Sequence, residues 1–88
     1  MALWLFTGLA CRSAPVQEMS EARQAIDAAR AAGAEQHAHI KLEQALTTLK
    51  TAEQMLDNRH FRDARRSARQ ARDEAIVARQ AAQDANTE

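Results

Sequence analysis

The sequence has few of the residues that cross-link chains or interrupt helices. Its 88 residues include one cysteine, one proline, two glycines and no tyrosine. One cysteine cannot form an internal disulfide or a metal site that needs several thiolates. The chain also lacks alternating strand patterns, glycine-rich loops and periodic aromatic motifs, which would predict β structure or a phosphate-binding loop. The composition therefore favours a small all-helical protein.

Large apolar side chains are scarce after the N-terminal segment. Phe61 is the only aromatic residue beyond Cys11, and most of the remaining apolar content is alanine. Alanine buries little area, so at about 25 cal/mol per Å² the core offsets the chain entropy only narrowly. Helices faced with alanine are also poorly suited to enclosing a substrate cleft. We therefore expect no enzyme activity, no cofactor and no small-molecule substrate, and a fold that is helped by self-association or a partner.

The longest apolar run is the first ten residues, which carry no charge and lead directly to Cys11. A membrane-spanning helix needs about 20 apolar residues, so this run is too short to cross a bilayer. A short apolar segment that ends in small residues is typical of an export signal. We interpret residues 1–10 as a signal-peptide remnant, residues 11–14 as a modification site with a short linker, and residues 15–88 as a helical domain.

The junction Leu9-Ala10-Cys11 resembles the lipobox of bacterial lipoproteins. The resemblance implies that Cys11 is lipidated and becomes the mature N-terminus. It also implies the outer membrane of a Gram-negative bacterium, facing the periplasm, because Arg12 stands where an aspartate would resemble the inner-membrane retention signal. The alternative is an apolar N-terminus with an incidental thiol.

Three helices are predicted between the few helix-breaking positions. They cover residues 15–32, 39–56 and 61–85, and the breaks are Pro15, Gly33 and the Asp57-Asn58 pair. Short connections make consecutive helices antiparallel neighbours. The expected fold is an antiparallel up-down-up three-helix bundle with a longer third helix. Beyond about Ala75 that helix is expected to overhang its neighbours and to contact a second chain.

The third predicted helix carries alanine at alternating spacings of four and three residues. This spacing places the alanines on one face, which packs along its length against other helices. Such small side chains allow the helix axes to approach closely. The helix-packing stripe consists of Ala64, Ala68, Ala71, Ala75, Ala78 and Ala82, and Ala85 continues it.

A row of arginines lies beside this stripe. Residues 59–72 contain six arginines and a single acid, Asp63. The row either pairs with acids of the first helix, such as Glu18, Glu21 and Asp27, or binds an anionic membrane surface or an acidic partner. Nucleic acid is not expected, because the chain has no net charge and no aromatic residue interleaves the arginines. The candidate binding residues are Arg59, Arg62, Arg65, Arg69 and Arg72.

The three histidines do not predict a metal site. His37 and His39 are two residues apart, and His60 lies in the other connection. Residues two apart on a helix point about 200° from one another, and a bound metal needs at least three converging ligands. None of the hydroxyl residues of the helices has a histidine at helical spacing, so no nucleophile–base pair is predicted either.

Two segments resemble known helical families. Phe61 to Ala68 is similar to a tetratricopeptide helix junction, in which an aromatic residue is followed by small residues three and seven positions later. The segments Ala31-Ala32-Gly33-Ala34 and 56–68 resemble a family of small alanine-rich bacterial lipoproteins known only as a domain of unknown function. This resemblance, over residues 11–85, implies an all-helical fold and an envelope location, and it brings no catalytic residues.

These observations predict a lipid-anchored periplasmic interaction or structural protein of the bacterial outer membrane. Its expected partners are the membrane, through the lipid anchor, and a second copy or another envelope protein. Two alternatives remain open. One is an alanine-zipper envelope spacer similar to the major murein lipoprotein, and the other is a soluble cytoplasmic helical adaptor.

Overall fold

The computed structural model describes residues 14–87, in which all regular structure is helical. The helices are α1 (Val16–Ala31), α2 (Ala34–His37), α3 (His39–Asp57) and α4 (Phe61–Asn86). The all-helical class is confirmed, and the three predicted helices agree with α1, α3 and α4 to within one residue at each end. The single turn α2 was not predicted. No helix in this part of the chain has the length and hydropathy of a membrane-spanning segment.

Gly33 separates α1 from α2. Its φ of 91° lies in the left-handed region, which glycine adopts without steric cost. Its N–H donates to the Arg30 carbonyl at 2.9 Å and so closes the end of α1. Its own carbonyl accepts bonds from the Gln36 and His37 N–H groups at 3.0 Å, and these begin α2. One residue thus ends one helix and starts the next.

Alanine forms most of the core between the helices. Of the sixteen buried apolar residues described, twelve are alanine, and the others are Pro15, Met19, Ile26 and Leu42. All six alanines of the predicted stripe are fully buried on α4, whereas Ala85 is exposed. With so little side-chain volume at the contacts, α1 and α3 both pack closely against α4.

The contacts at the two ends of α1 and α4 define their relative direction. Near the start of both helices, Glu18 of α1 lies 3.4 Å from Arg65 of α4. At the far end, the Asn86 side-chain amide donates to the Ala32 carbonyl at 3.0 Å. On the α3 side, the Ser67 hydroxyl lies 3.4 Å from the Met55 sulfur, close to the end of α3 and the beginning of α4.

The predicted overhang of the third helix is wrong. Ala78 and Ala82 are fully buried, and they share a core cluster with Ala34, Ala38 and other residues of α1 and α3. The physical reason is α2, which lengthens the arm opposite α4 to residues 34–57. This arm nearly matches the 26 residues of α4.

Two large apolar residues of the C-terminal half of α4 point away from this core. Ile76 is 50% exposed and Val77 is 52% exposed. They flank the buried stripe, so their exposure does not indicate an unpacked helix end.

Candidate binding surface

The structure divides the row of predicted binding arginines into two groups. Arg65, Arg69 and Arg72 lie on the side of α4 that faces α1, where each is within ion-pair distance of a glutamate. Arg59 and Arg62 lie before and within the first turn of α4 and are exposed. No partner for either of these two side chains is found within residues 14–87.

Glu18 is the main acceptor of the paired group. One of its carboxylate oxygens lies 3.4 Å from Arg65 and 3.7 Å from Arg69, and its side chain is only 20% exposed. Glu21, one turn further along α1, lies 3.7 Å from Arg72. Two of the three acids considered from the sequence therefore pair with the row. The third, Asp27, forms no ion pair within the described residues.

Arg72 is also held by its neighbour in the chain. Its guanidinium donates two hydrogen bonds to one Asp73 oxygen, at 3.0 and 2.8 Å. These bonds and the nearby negative charge raise the pKa of Arg72 further above its ordinary value. All three arginines of this group thus contact α1, although Arg69 is 57% exposed and the shortest bonds of Arg72 are to Asp73 on its own helix.

The unpaired group lies at the end of the bundle where the described chain begins. Pro15 is fully buried there, and Ala14 and Val16 line an open groove together with Arg65. Arg62 precedes Arg65 by three residues, which is about 4.5 Å along the helix. The basic end, which we define as Arg59, Arg62 and Arg66, therefore lies beside the point where the N-terminal segment joins the bundle.

Arg66 completes the basic end and was not among the predicted binding residues. Its side chain is 73% exposed, and its only ion pair within residues 14–87 is a long one of 3.8 Å with Asp63. The sequence contained the signal for it, since it stands beside Arg65 in the same basic run. Helical spacing put it outside the row, because one residue beyond Arg65 corresponds to a rotation of about 100° around the helix axis.

The turn that carries Arg59 has an unusual backbone. Arg59 has a φ of 63°, and it is the only residue other than glycine with positive φ in the described chain. Its N–H donates to the Leu56 carbonyl at 3.0 Å, and the next N–H, of His60, donates to the Met55 carbonyl at 2.8 Å. This pair of bonds is the Schellman motif, which ends helices around a left-handed residue.

The histidines lie where the sequence indicated. His37 and His39 are exposed around the junction of α2 with α3, and His60 is exposed in the connection at the other end. Within residues 14–87, no three His, Cys, Asp or Glu side chains are close enough together to hold a metal ion. The predicted lipidation site, Cys11, lies outside the described residues.

Glu74 is a carboxylate whose environment depends on the packing of the helices. It lies in the groove between α3 and α4, beside Thr48, and its Oε2 accepts a bond from Gln70 at 3.0 Å. Its Oε1 is shielded from solvent and has no hydrogen-bond partner within the described chain. A helical wheel places it at the edge of the buried stripe, but its burial depends on how closely α3 approaches.

Comparison with known proteins gives a family and no activity. The profile of the family described as Domain of unknown function (DUF4398) matches residues 17–88, and the chain belongs to this family. The matched region includes all of α2, α3 and α4 and nearly all of α1. No curated protein and no solved structure matches the chain significantly.

Proposed function

We propose that this member of the DUF4398 family is a lipid-anchored interaction protein of the Gram-negative outer membrane, facing the periplasm and without catalytic activity. In this proposal Cys11 carries the lipid, and the folded part is a bundle of three long helices that run up-down-up. The bundle acts by presenting its surfaces to the membrane and to other envelope components.

The observation that carries the proposal is the position of the apolar segment relative to the fold. The run that ends in Leu9-Ala10-Cys11 stops just before the helical region, and Ala14 already lies against the bundle. Three residues of extended chain span about 10 Å at most. A lipid on Cys11 would therefore hold the bundle directly against the membrane surface.

The charge distribution supports the same orientation. The basic end lies beside Ala14, and it would face the headgroups of the membrane that holds Cys11. Residues 57–66 contain four arginines and two aspartates, so this end carries net positive charge. Basic residues near an anionic leaflet contribute about 1 kcal/mol each to membrane attraction.

The absence of catalysis is part of the proposal. The paired arginines and glutamates join two helices, and the three histidines lie at opposite ends of the bundle. A reaction centre needs converging groups in a site that excludes water. The interaction role requires only exposed surfaces, and the described chain offers the basic end, Ile40 at 76% exposure and the flanks of α4.

The alanine-zipper spacer receives no specific support from the described fold. Such a spacer requires long uninterrupted helices, whereas a left-handed turn at Gly33 follows α1 and the stripe of α4 packs within its own chain. The soluble cytoplasmic adaptor is the competing hypothesis, and an experiment must distinguish it from the lipid-anchored protein.

Membrane fractionation of a Cys11→Ser variant tests the proposal. The wild-type chain, expressed in a Gram-negative host, should fractionate with the outer membrane, and Cys11→Ser should shift it to the soluble fraction. Ser13→Ala, a matched change outside the Leu9-Ala10-Cys11 junction, should leave the fractionation unchanged. A Cys11→Ser protein that stays in the membrane fraction would refute anchoring through this cysteine, and a soluble wild-type protein would favour the cytoplasmic adaptor.

A further inference from the structure

The turn between α3 and α4 holds an arginine in a conformation that favours glycine. The left-handed region brings the Cβ of an ordinary residue close to its own backbone, which costs free energy that glycine avoids. Arg59 adopts this region with a φ of 63° at the residue that closes α3. Glycine at position 59 would therefore make this turn more stable.

The backbone bonds of this turn would form equally with glycine, and no contact of the Arg59 side chain compensates for the strain. The Arg59 side chain is exposed and makes no hydrogen bond or ion pair within residues 14–87. Strained residues are concentrated at functional sites, where the side chain is needed for a purpose other than folding. The strain at Arg59 thus points to a role for its guanidinium outside the bundle.

Arg62 provides a second guanidinium at the same end. It is exposed in the first turn of α4, three residues after Arg59, and it too has no partner within residues 14–87. In contrast, Arg65 and Arg69 further along the helix are engaged by Glu18. Three described arginines have no partner within residues 14–87; Arg59 and Arg62 lie at the start of α4, on the N-terminal side of Arg65, whereas Arg79 lies near its other end.

We propose that Arg59 and Arg62 bind the phosphate groups of anionic phospholipids in the membrane that holds Cys11. Guanidinium groups donate paired hydrogen bonds to phosphate oxygens, and an anionic leaflet attracts nearby basic residues. The inference rests on the proposed function, because the lipid on Cys11 brings this end of the bundle to the bilayer. It adds that the ligand of the basic end is lipid phosphate and not an acidic protein.

Vesicle co-sedimentation of the full chain with Cys11→Ser tests this inference without the lipid anchor. The probes are vesicles of phosphatidylcholine mixed with phosphatidylglycerol, and vesicles of phosphatidylcholine alone. The neutral vesicles measure any binding by the apolar residues 1–10. We expect binding to the anionic vesicles that weakens as salt is raised. Arg59→Gly and Arg62→Gln should each reduce that binding roughly fivefold, and together roughly 25-fold.

Arg59→Gly separates a binding role from a structural one. Because glycine relieves the left-handed strain, this variant should melt a few degrees higher than the parent chain, roughly 2–6 °C. Binding and stability should thus change in opposite directions. Arg79→Gln is the matched control, since Arg79 is exposed near the other end of α4 and has no ion pair within residues 14–87. It should bind as the parent chain does.

The outcomes distinguish this inference from the anchoring proposal. The phosphate site would be overturned, even if Cys11 proves to be lipidated, if the chain bound equally to both kinds of vesicle. It would also be overturned if Arg62→Gln and Arg79→Gln reduced binding to the anionic vesicles by the same factor. Saturable binding of inorganic phosphate that is lost in Arg59→Gly would assign the site to a free anion and would also overturn it. A lower melting temperature for Arg59→Gly would refute the argument from strain.

Discussion

Replacing Ala71 by glutamate tests the close packing of α4 most severely. Ala71 is fully buried in the middle of the stripe. The new side chain would bring a carboxylate without a partner into the core. Burial of an unpaired charge has one of the largest free-energy costs of any core substitution. It would also lie one turn from Glu74, whose Oε1 is already shielded and unbonded within the described chain. Like charges at this spacing repel each other.

The expected loss is large compared with the stability of such a small domain. Burial of the charge and the added volume together should cost about 3 kcal/mol or more. A domain of this length has a total free energy of unfolding of about 4–11 kcal/mol. Since 1 kcal/mol shifts the melting temperature of a small domain by about 4–8 °C, we expect a fall of at least roughly 12 °C or the loss of a cooperative transition.

Thermal melting followed by circular dichroism at the helix band measures this effect. Ala85→Glu is the matched control, because Ala85 lies on the same helix and is exposed. Its effect should stay within about 0.5 kcal/mol. If Ala71→Glu melted at the same temperature as Ala85→Glu, the stripe would not be packed, and the description of the core would be refuted.

Three further changes test other parts of the fold by the same melting assay. Glu18→Gln removes the negative charge that Arg65 and Arg69 share and should cost about 1 kcal/mol, since Glu18 is only 20% exposed; an unchanged melting temperature would show that these ion pairs add nothing. Gly33→Ala should cost about 1–2 kcal/mol, because φ is 91° and the new Cβ would lie 3.3 Å from the His37 ring; a more stable variant would contradict this geometry. Deletion of residues 76–88 should unfold the bundle, because it removes the buried Ala78 and Ala82. A truncated domain that stayed folded would show that this segment overhangs the other helices and is not part of the core.

The helices could be predicted because the chain has few breaking positions and a regular alanine pattern. Pro15 and Gly33 delimit α1, and the spacing of the stripe identified the buried face of α4 at all six positions. Both signals are local, so they do not depend on how the helices are arranged in space. The same is true of the exposed connection around Asn58.

The packing of the C-terminal half of α4 could not be predicted in this way. Residues 34–37 contain no breaking residue, yet one turn of helix there could not be distinguished from an ordinary loop. This turn lengthens the arm opposite α4, so Ala78 and Ala82 are buried rather than exposed. Only the three-dimensional arrangement shows which partner covers them.

The pairing of the arginines depended on tertiary structure for the same reason. Spacing showed that Arg62, Arg65, Arg69 and Arg72 share one face, but the position of α1 beside α4 decides which of them meet a glutamate. The left-handed turn at Arg59 had no sequence signal, because glycine, and sometimes asparagine, usually takes this conformation at the end of a helix.

Mass spectrometry of the N-terminus of the native protein tests the central claim most directly. We expect a mature chain that begins at Cys11, with a mass increased by a lipid on that residue. A chain that begins upstream of residue 11 and carries an unmodified thiol would contradict the lipid anchor, and with it the proposed position of the protein at the outer membrane.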